Sequence, residues 1–333
     1  MKYLFVGDPH VTPEELGDAK ALEDYIVKIA QQEKATVILA GDLYHTHALI
    51  RAQVQLFWHN FFNRLKELKI RCIVLKGNHD MTGATTNLNG SEYVEDAATP
   101  LLAHVQDCWA VLYEPEVEDG ILFCPYTSKE KLVEWSNQHP ECETLICHQT
   151  FNGATYEDGF FAEDGVDPNL IAQKMVISGH IHKSQEFGKV WYPGSPRWRT
   201  LSDANMTKSL WILDFNKQGV LLDKKQYKTD KVCKCIKYYL DTPEDPASTE
   251  HNAKDEYRVD IKGPQAWIEQ RKPLFEGWAK VRTLRTDTNT DVKVKESEGV
   301  WNALRKFTND YKPLHNTDKD VLLDLVTKRI GEF

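Results

Sequence analysis

No run in this chain is apolar over the roughly 18–20 residues that a membrane helix requires, so a spanning helix does not enter the reading. The opening MKYLFVGDPH is apolar too briefly for a secretory signal and passes at once into polar residues. Export is therefore not expected; the cytoplasm of a bacterium or of a phage-infected cell is. Among seven cysteines there is no Cys-x-x-Cys pair, which removes the usual mark of a zinc ribbon. Seven is odd, and Cys72, Cys124 and Cys147 lie inside the apolar runs RCIVLKG, ILFCPY and LICHQ, where cysteine acts as a small hydrophobe. A reducing compartment fits that usage. Cys233-Lys-Cys235 reads as strand alternation. Positive charge is in deficit, 41 Lys and Arg against 50 Asp and Glu. The net charge of −9 argues against a protein that coats nucleic acid generally, but not against an enzyme that meets it through a local patch and metal ions. Internal repeats and low-complexity tracts are also missing.

What is present is ordinary in bulk. With 41% apolar and 27% charged residues the composition is globular, and 333 residues allow one large domain or two moderate ones. One basic stretch, residues 217–237, holds seven lysines against two aspartates. It reads either as a solvated edge strand guarded by lysines or as a phosphate-contacting surface. Short apolar runs alternate with helical patterns through the first two-thirds. KYLFVGD, ATVILAGD and RCIVLKGN are strand candidates, separated by ALEDYIVKIAQQ and AQVQLFWHNFFNRLKEL, whose apolar residues recur at helical spacing. GILFCPY, ETLICHQ, KMVISGH, GKVWYPG and SLWILDF follow with no long helices between them, which predicts a second sheet packed on the first. The fold class is thus α/β: a two-sheet sandwich flanked by helices, built on βαβ units with mostly parallel strands. After the polar stretch at 241–254 come strand-like EYRVDIKG, helical AWIEQRKPLFEGW interrupted by Pro273, and strand-like AKVRTLRT, a small α+β region. Two amphipathic helices are predicted at 299–311 and 317–330, the first with Trp301 and Leu304 on its apolar face, the second offering Leu322 and Leu325.

The polar residues that end the apolar runs carry the chemistry. Asp8-Pro9-His10, Asp42-Leu43-Tyr44-His45, Asn78-His79-Asp80, His148-Gln149 and His180-Ile181-His182 each follow such a run, and in four of the five a glycine stands immediately before. One ending of this kind is an ordinary turn; five in one chain are not. Ligands of α/β sheets gather beyond the carboxyl ends of the strands. Carboxylate, carboxamide and imidazole together suit manganese, iron or zinc and suit calcium poorly. Asp8, His10, Asp42, Asn78, His148, His180 and His182 make seven donors, more than the three or four that one ion takes from a protein. Two ions sharing a carboxylate account for them, and such a pair serves in-line phosphoryl displacement. Metal-assisted hydrolysis of a phosphoester is the reaction class.

In this order, GDPH, GDLYH, GNHD, CHQ and GHIH resemble the calcineurin-like metallophosphoesterase superfamily over residues 1–215. Serine/threonine phosphatases of that superfamily carry GDxVDRG and GNHE, which this chain lacks. GDLYH and YPGSPRWRTLSDANMTKSLWILDF (192–215) are instead similar to the SbcD-type DNA nucleases, including phage recombination endonucleases. That resemblance implies a manganese-dependent exonuclease and endonuclease in recombination or double-strand-break repair, with magnesium, iron or zinc as other ions the site could take. It implies that Asp8, His10, Asp42 and His182 hold one ion and that Asp42, Asn78, His148 and His180 hold the other. His79 would orient the phosphate and assist the leaving oxygen, with Asp80 holding its imidazole, and His45 would stabilise the transition state. It further implies a nuclease domain at 1–215, a capping and DNA-contact domain at 216–297, and a helical segment at 298–333 that binds an SbcC-type coiled-coil ATPase. Arg197, Arg199, Lys224 and Lys225 are candidate contacts to single- or double-stranded DNA ends, and a homodimer is compatible with this plan. Trp191, Tyr192 and Trp198 read as core residues before base-stacking ones. Two other readings stand: a small-molecule phosphodiesterase of the same superfamily, acting on a cyclic nucleotide or nucleotide ester, and a non-catalytic metal-binding scaffold.

Overall fold

The computed structural model describes residues 1–46, 50–81, 109–111, 113–156 and 159–287; the expected helices at 299–311 and 317–330 lie outside them. Parallel strands β1 (Lys2–Val6), β2 (Thr36–Leu39), β3 (Cys72–Leu75) and β4 (Trp109–Val111) form part of a six-stranded sheet. Antiparallel β11 (Ser209–Phe215) and β12 (Leu221–Lys228) extend it, giving the order β12-β11-β1-β2-β3-β4. The second sheet holds β5 (Glu116–Glu118), β6 (Ile121–Phe123), β7 (Thr144–His148), β8 (Met175–Gly179), β9 (Gln185–Phe187) and β10 (Val190–Tyr192) in the order β5-β6-β7-β8-β10-β9.

Why these strands are apolar throughout is visible in their two faces. Tyr3, Phe5, Ile38 and Ile73 of the first sheet meet Ile121, Ile146 and Ile177 of the second in one buried cluster, so the sheets pack face to face. The alternate residues point the other way, as the pleat requires. Leu4, Val6, Val37 and Val74 pack with Ile26 of α1 (Leu16–Glu33) and with Trp58 and Phe61 of α2 (Ala52–Glu67). On the far side Leu122, Leu145 and Val176 meet Leu132 and Trp135 of α3 (Lys129–Gln138). Both faces of the central strands of each sheet are thus covered, and full burial of each large side chain contributes about 1.5–3 kcal/mol. The expected two-sheet α/β sandwich is what forms. Helix α3, capped by Ser128 accepting from Lys131 N (3.2 Å), was not anticipated, nor were the three-residue strands β4, β5 and β9. Runs that short carry too few residues for a period to register. Trp191, Tyr192 and Trp198 are core residues, and the six cysteines among the described residues are free and buried.

The lysine-rich stretch includes the edge strand β12, most of whose residues are exposed or half-exposed. Its Lys225 joins Lys2 of β1 on the two oxygens of Glu33, at 2.8 and 2.7 Å, where α1 ends. Bonds from Lys2, Lys225 and Tyr227 pull the Glu33 carboxyl down to about 2. A carboxyl depressed on folding adds stability above its unfolded pKa and forfeits it as pH falls through the folded one. Glu33→Gln should therefore melt below the parent protein at pH 7, and the gap should close between pH 4.5 and about 2. Thermal melts of the two proteins across that range are the check, and a gap that stayed constant would contradict the assignment.

The described residues within 1–239, 248–259 and 277–280 form one compact unit. A second contains 240–247, 260–276 and, among the described residues, 281–287. A third sheet, β13 (Ile236–Asp241), β14 (Glu256–Gly263) and β15 (Ala279–Arg285), has residues in both; α4 (Gln265–Phe275) belongs to the second. Pro273 falls in the last turn of α4 and does not break it. In the second unit Arg271 grips the fully buried Asp241 from Nε and Nη2. No helix among the described residues is long and apolar enough to cross a membrane.

Candidate active site

Each of the seven expected ligands stands at or just beyond the carboxyl end of a strand, three strands from the first sheet and two from the second. The turns are strained where the ligands sit. Asp8, His10, Asp42 and His180 have φ of 38°, 42°, 55° and 82°, a region side chains other than glycine enter at a cost of order 1–3 kcal/mol each. The preceding glycines have a second use besides turning. A Cβ on Gly41, whose φ is +96°, would lie 2.4 Å from His148 Nδ1, and one on Gly77 would lie 2.2 Å from Asp42 Oδ1. Glycine at these points leaves room for the ligand of a neighbouring turn.

Two clusters result. Asp8, His10 and His182 form one and Asp42, His148 and His180 the other, the donor atoms of each lying within 4.8 Å of one another. Asn78 joins the second, its Oδ1 being 2.9 Å from His180 Nδ1 and 3.0 Å from His148 Nε2. Asp42 Oδ2 lies 3.4 Å from His10 Nε2 and 3.4 Å from His148 Nε2, so one carboxylate oxygen faces both clusters.

The hydrogen bonds fix which ring atoms face inward. A backbone carbonyl only accepts, so His10 Nδ1 donates to Tyr44 O (3.0 Å) and His148 Nδ1 donates to Ala40 O (2.7 Å). In the neutral rings each Nε2 then presents a lone pair. His10 Nε2 is 3.1 Å from His182 Nε2. Asp8 Oδ2 is buried without a hydrogen-bond partner, while its Oδ1 accepts from His180 N at 2.8 Å. Lone pairs and carboxylate oxygens this close repel unless positive charge lies among them. Burial disfavours charge on His148, yet Asp42 and Asp8 raise it to about 9. Burial and the neighbouring His148 push His180 down to about 3. Burial opposes ionisation of Asp42 too, but His148 and His10 hold it well below the usual range. The donor set is borderline in hardness and converges from opposite sides, which fits two divalent cations.

His79 lies beside these clusters. Its N–H donates to Asp42 Oδ1 (2.8 Å) and its Nδ1 donates to the His45 carbonyl (2.7 Å), leaving Nε2 directed elsewhere. Its ring is parallel to that of His45, with centroids 5.8 Å apart, and edge-on to His10 at 4.7 Å. His45 itself is exposed, and burial of part of its ring, with Arg199 and His79 nearby, lowers it to about 4. The expectation that Asp80 holds the His79 imidazole needs correction. Asp80 is fully buried, and its two oxygens accept from the amides of Asp42 (2.8 Å), Gly77 (2.9 Å), Leu43 (2.8 Å) and Tyr44 (3.2 Å). It ties the second ligand turn to the third. Burial and the Asp42 charge push its pKa up to about 7 against those four donors.

Of the four candidate DNA contacts, none stands free beside the ligands. Arg197 is 1% exposed and donates to Pro9 O from Nη2 (2.7 Å) and to Asp18 from Nη1 (3.2 Å), so it is an interior residue and not a surface cation. Arg199 is half-buried, with Nη1 on His10 O. Lys224 pairs with Glu186 (2.6 Å) and lies over the Trp191 ring; Lys225 pairs with Glu33. Their register sets them level with Tyr3 and Leu4 of β1, short of Asp8. Tyr126, beyond β6, carries no signal in the sequence, where it closes the strand-like run GILFCPY after a proline. Its half-buried ring stands 6.2 Å from that of His180, at 26°.

No curated protein matches the chain. It is similar to a solved hypothetical protein from Thermus thermophilus, at 12% identity and a TM-score of 0.40, over 68% of this chain and 98% of that one. It is also similar to a 5'-nucleotidase precursor from the same organism, at 15% identity and a TM-score of 0.33, over 68% of this chain and 54% of that one. Residues 1–184, more than half of the 333 and including every ligand turn, match the calcineurin-like phosphoesterases, and the chain belongs to that family.

Proposed function

We propose that this phosphoesterase is a manganese-dependent DNA nuclease, exonucleolytic and endonucleolytic, that works in recombination or double-strand-break repair. The observation that supports the reading best is the histidine pair beside the clusters. Among the described residues His45 is exposed and His79 half-exposed, with parallel rings, which suits them to meet a phosphodiester inside a long polymer. Asp8, His10, Asp42 and His182 would hold one divalent cation, and Asp42, Asn78, His148 and His180 the second. When bound, the cations supply charge neutralisation and polarisation at the phosphoryl group. The chain's own part is orientation and proton handling. Because Nδ1–H of His79 is committed to the His45 carbonyl, a second proton carried on Nε2, in the imidazolium form, is the one that can pass to the departing oxygen, leaving the ring neutral. A neutral His45 still has one N–H to offer a non-bridging oxygen.

We assign residues 1–215 to the nuclease domain, 216–297 to a capping and DNA-contact domain, and 298–333 to binding of an SbcC-type ATPase, a layout that resembles the SbcD-type nucleases. The test is digestion of single- and double-stranded oligonucleotides beside a nucleotide ester, with manganese and with chelator. Manganese-dependent cleavage of the oligonucleotides, with the ester turned over poorly, is expected. Turnover of the ester alone would transfer the assignment to a small-molecule phosphodiesterase. In the same preparation, deletion of 299–330 should abolish copurification with the ATPase; unchanged recovery would remove that partner surface.

A further inference from the structure

Two frameworks grip the ligand turns, one centred on each cluster, and His10 meets both, since its Nδ1 donates to Tyr44 O (3.0 Å). On the side of Asp42 and Asn78 the framework is Asp80. On the side of Asp8, His10 and His182 it is the segment after β10. Lys208, 1% exposed, donates from Nζ to the His182 carbonyl (3.0 Å), to Ser195 Oγ (2.9 Å) and to Asp203 Oδ1 (2.5 Å). Asp203 Oδ2 in turn accepts from the amides of Arg199 (3.0 Å) and Thr200 (3.1 Å). The Arg199 and Arg197 side chains reach the carbonyls of Pro9 and His10. The Ser195 amide also donates to the His182 carbonyl (3.1 Å), and a Cβ on Gly194 would lie 2.8 Å from that oxygen.

We infer that the Lys208–Asp203 pair, acting with Arg197 and Arg199, positions the turns of His10 and His182 and so sets the affinity of one of the two cation sites. A buried ammonium and carboxylate are costly to desolvate unless every donor and acceptor is used. Here the ammonium is spent on the backbone of a ligand turn. His10 sits at a φ of 42°, so its ring direction depends on how firmly its carbonyl is held. The inference rests on reading His10 and His182 as ligands of one ion.

The experiment uses the full chain, stripped of metal, and Mn2+ alone as probe. Lys208→Met combined with Asp203→Asn removes both charges together, leaving neither buried unpaired. Calorimetric titration should show one of two binding events weakened about 10–100-fold, the span typical for residues that orient ligands, and the other unchanged. Equal weakening of both events, or of neither, overturns the inference. Should the double variant fail to fold, Arg199→Ala, at a half-buried position, must weaken that same event, and no change there overturns it equally. His10→Ala separates the two layers: if it leaves both events intact, the ligand reading itself is wrong, whatever the Lys208 variants do.

Discussion

His79→Ala should lower kcat by about 10²–10⁴-fold, the range for loss of one general acid, while the protein keeps its full complement of bound manganese. The reason lies in the ring's partners. His79 contributes its backbone N–H to Asp42 Oδ1 and its Nδ1–H to the His45 carbonyl, and it belongs to neither of the two ligand clusters that contain Asp8 and Asp42. Truncation keeps the backbone bond that steadies Asp42 and removes only the ring with its Nε2. Metal content by elemental analysis and turnover of a short oligonucleotide, measured on the same sample, form the check. Loss of metal alongside activity would make His79 a ligand, which geometry permits, since one ring nitrogen each of His10, His45 and His79 lie within 4.8 Å of one another. Retained activity would remove its assigned role.

Asp80→Ala should be the most damaging single change for stability. It orphans four backbone donors in a place with no exposure, and each buried, unsatisfied group costs about 1–3 kcal/mol. Even with extensive relaxation, a loss of about 3 kcal/mol or more is expected. At about 2–4 °C per kcal/mol for a domain of this size, the melting temperature should fall by roughly 6–12 °C. Asp80→Asn keeps one acceptor oxygen but turns an amide toward two N–H groups, so it should fall between the two. Thermal unfolding of the three proteins without added metal tests the order. A melting temperature for the alanine variant within about 2 °C of the parent would mean that the second and third turns hold their geometry without this carboxylate.

Several parts of the architecture are legible in the sequence itself. The eight apolar runs and the two long helices are local: a strand covered on both faces must be apolar throughout, and a helix covered on one face must repeat its apolar residues every three or four. The glycines before the ligands were equally readable, but their purpose was not. Whether Gly77 merely turns the chain or makes space for Asp42 depends on a residue 35 positions earlier. Three-residue strands such as β9 escape because edge pairing, and not their own composition, makes them strands.

The same division runs through the site. Strand ends rich in Asp, Asn and His, and the number of donors, were properties of the sequence alone, because ligand chemistry is written in residue types and parallel strands deliver their ends to one rim. Which carboxylate oxygen faces both clusters, which imidazole nitrogen carries the proton, that Asp80 serves the backbone and that Arg197 is interior were decided only by the folded chain. Those are relations between side chains and backbone groups far apart in sequence, and hydrogen bonding and burial settle them only once the two sheets have packed.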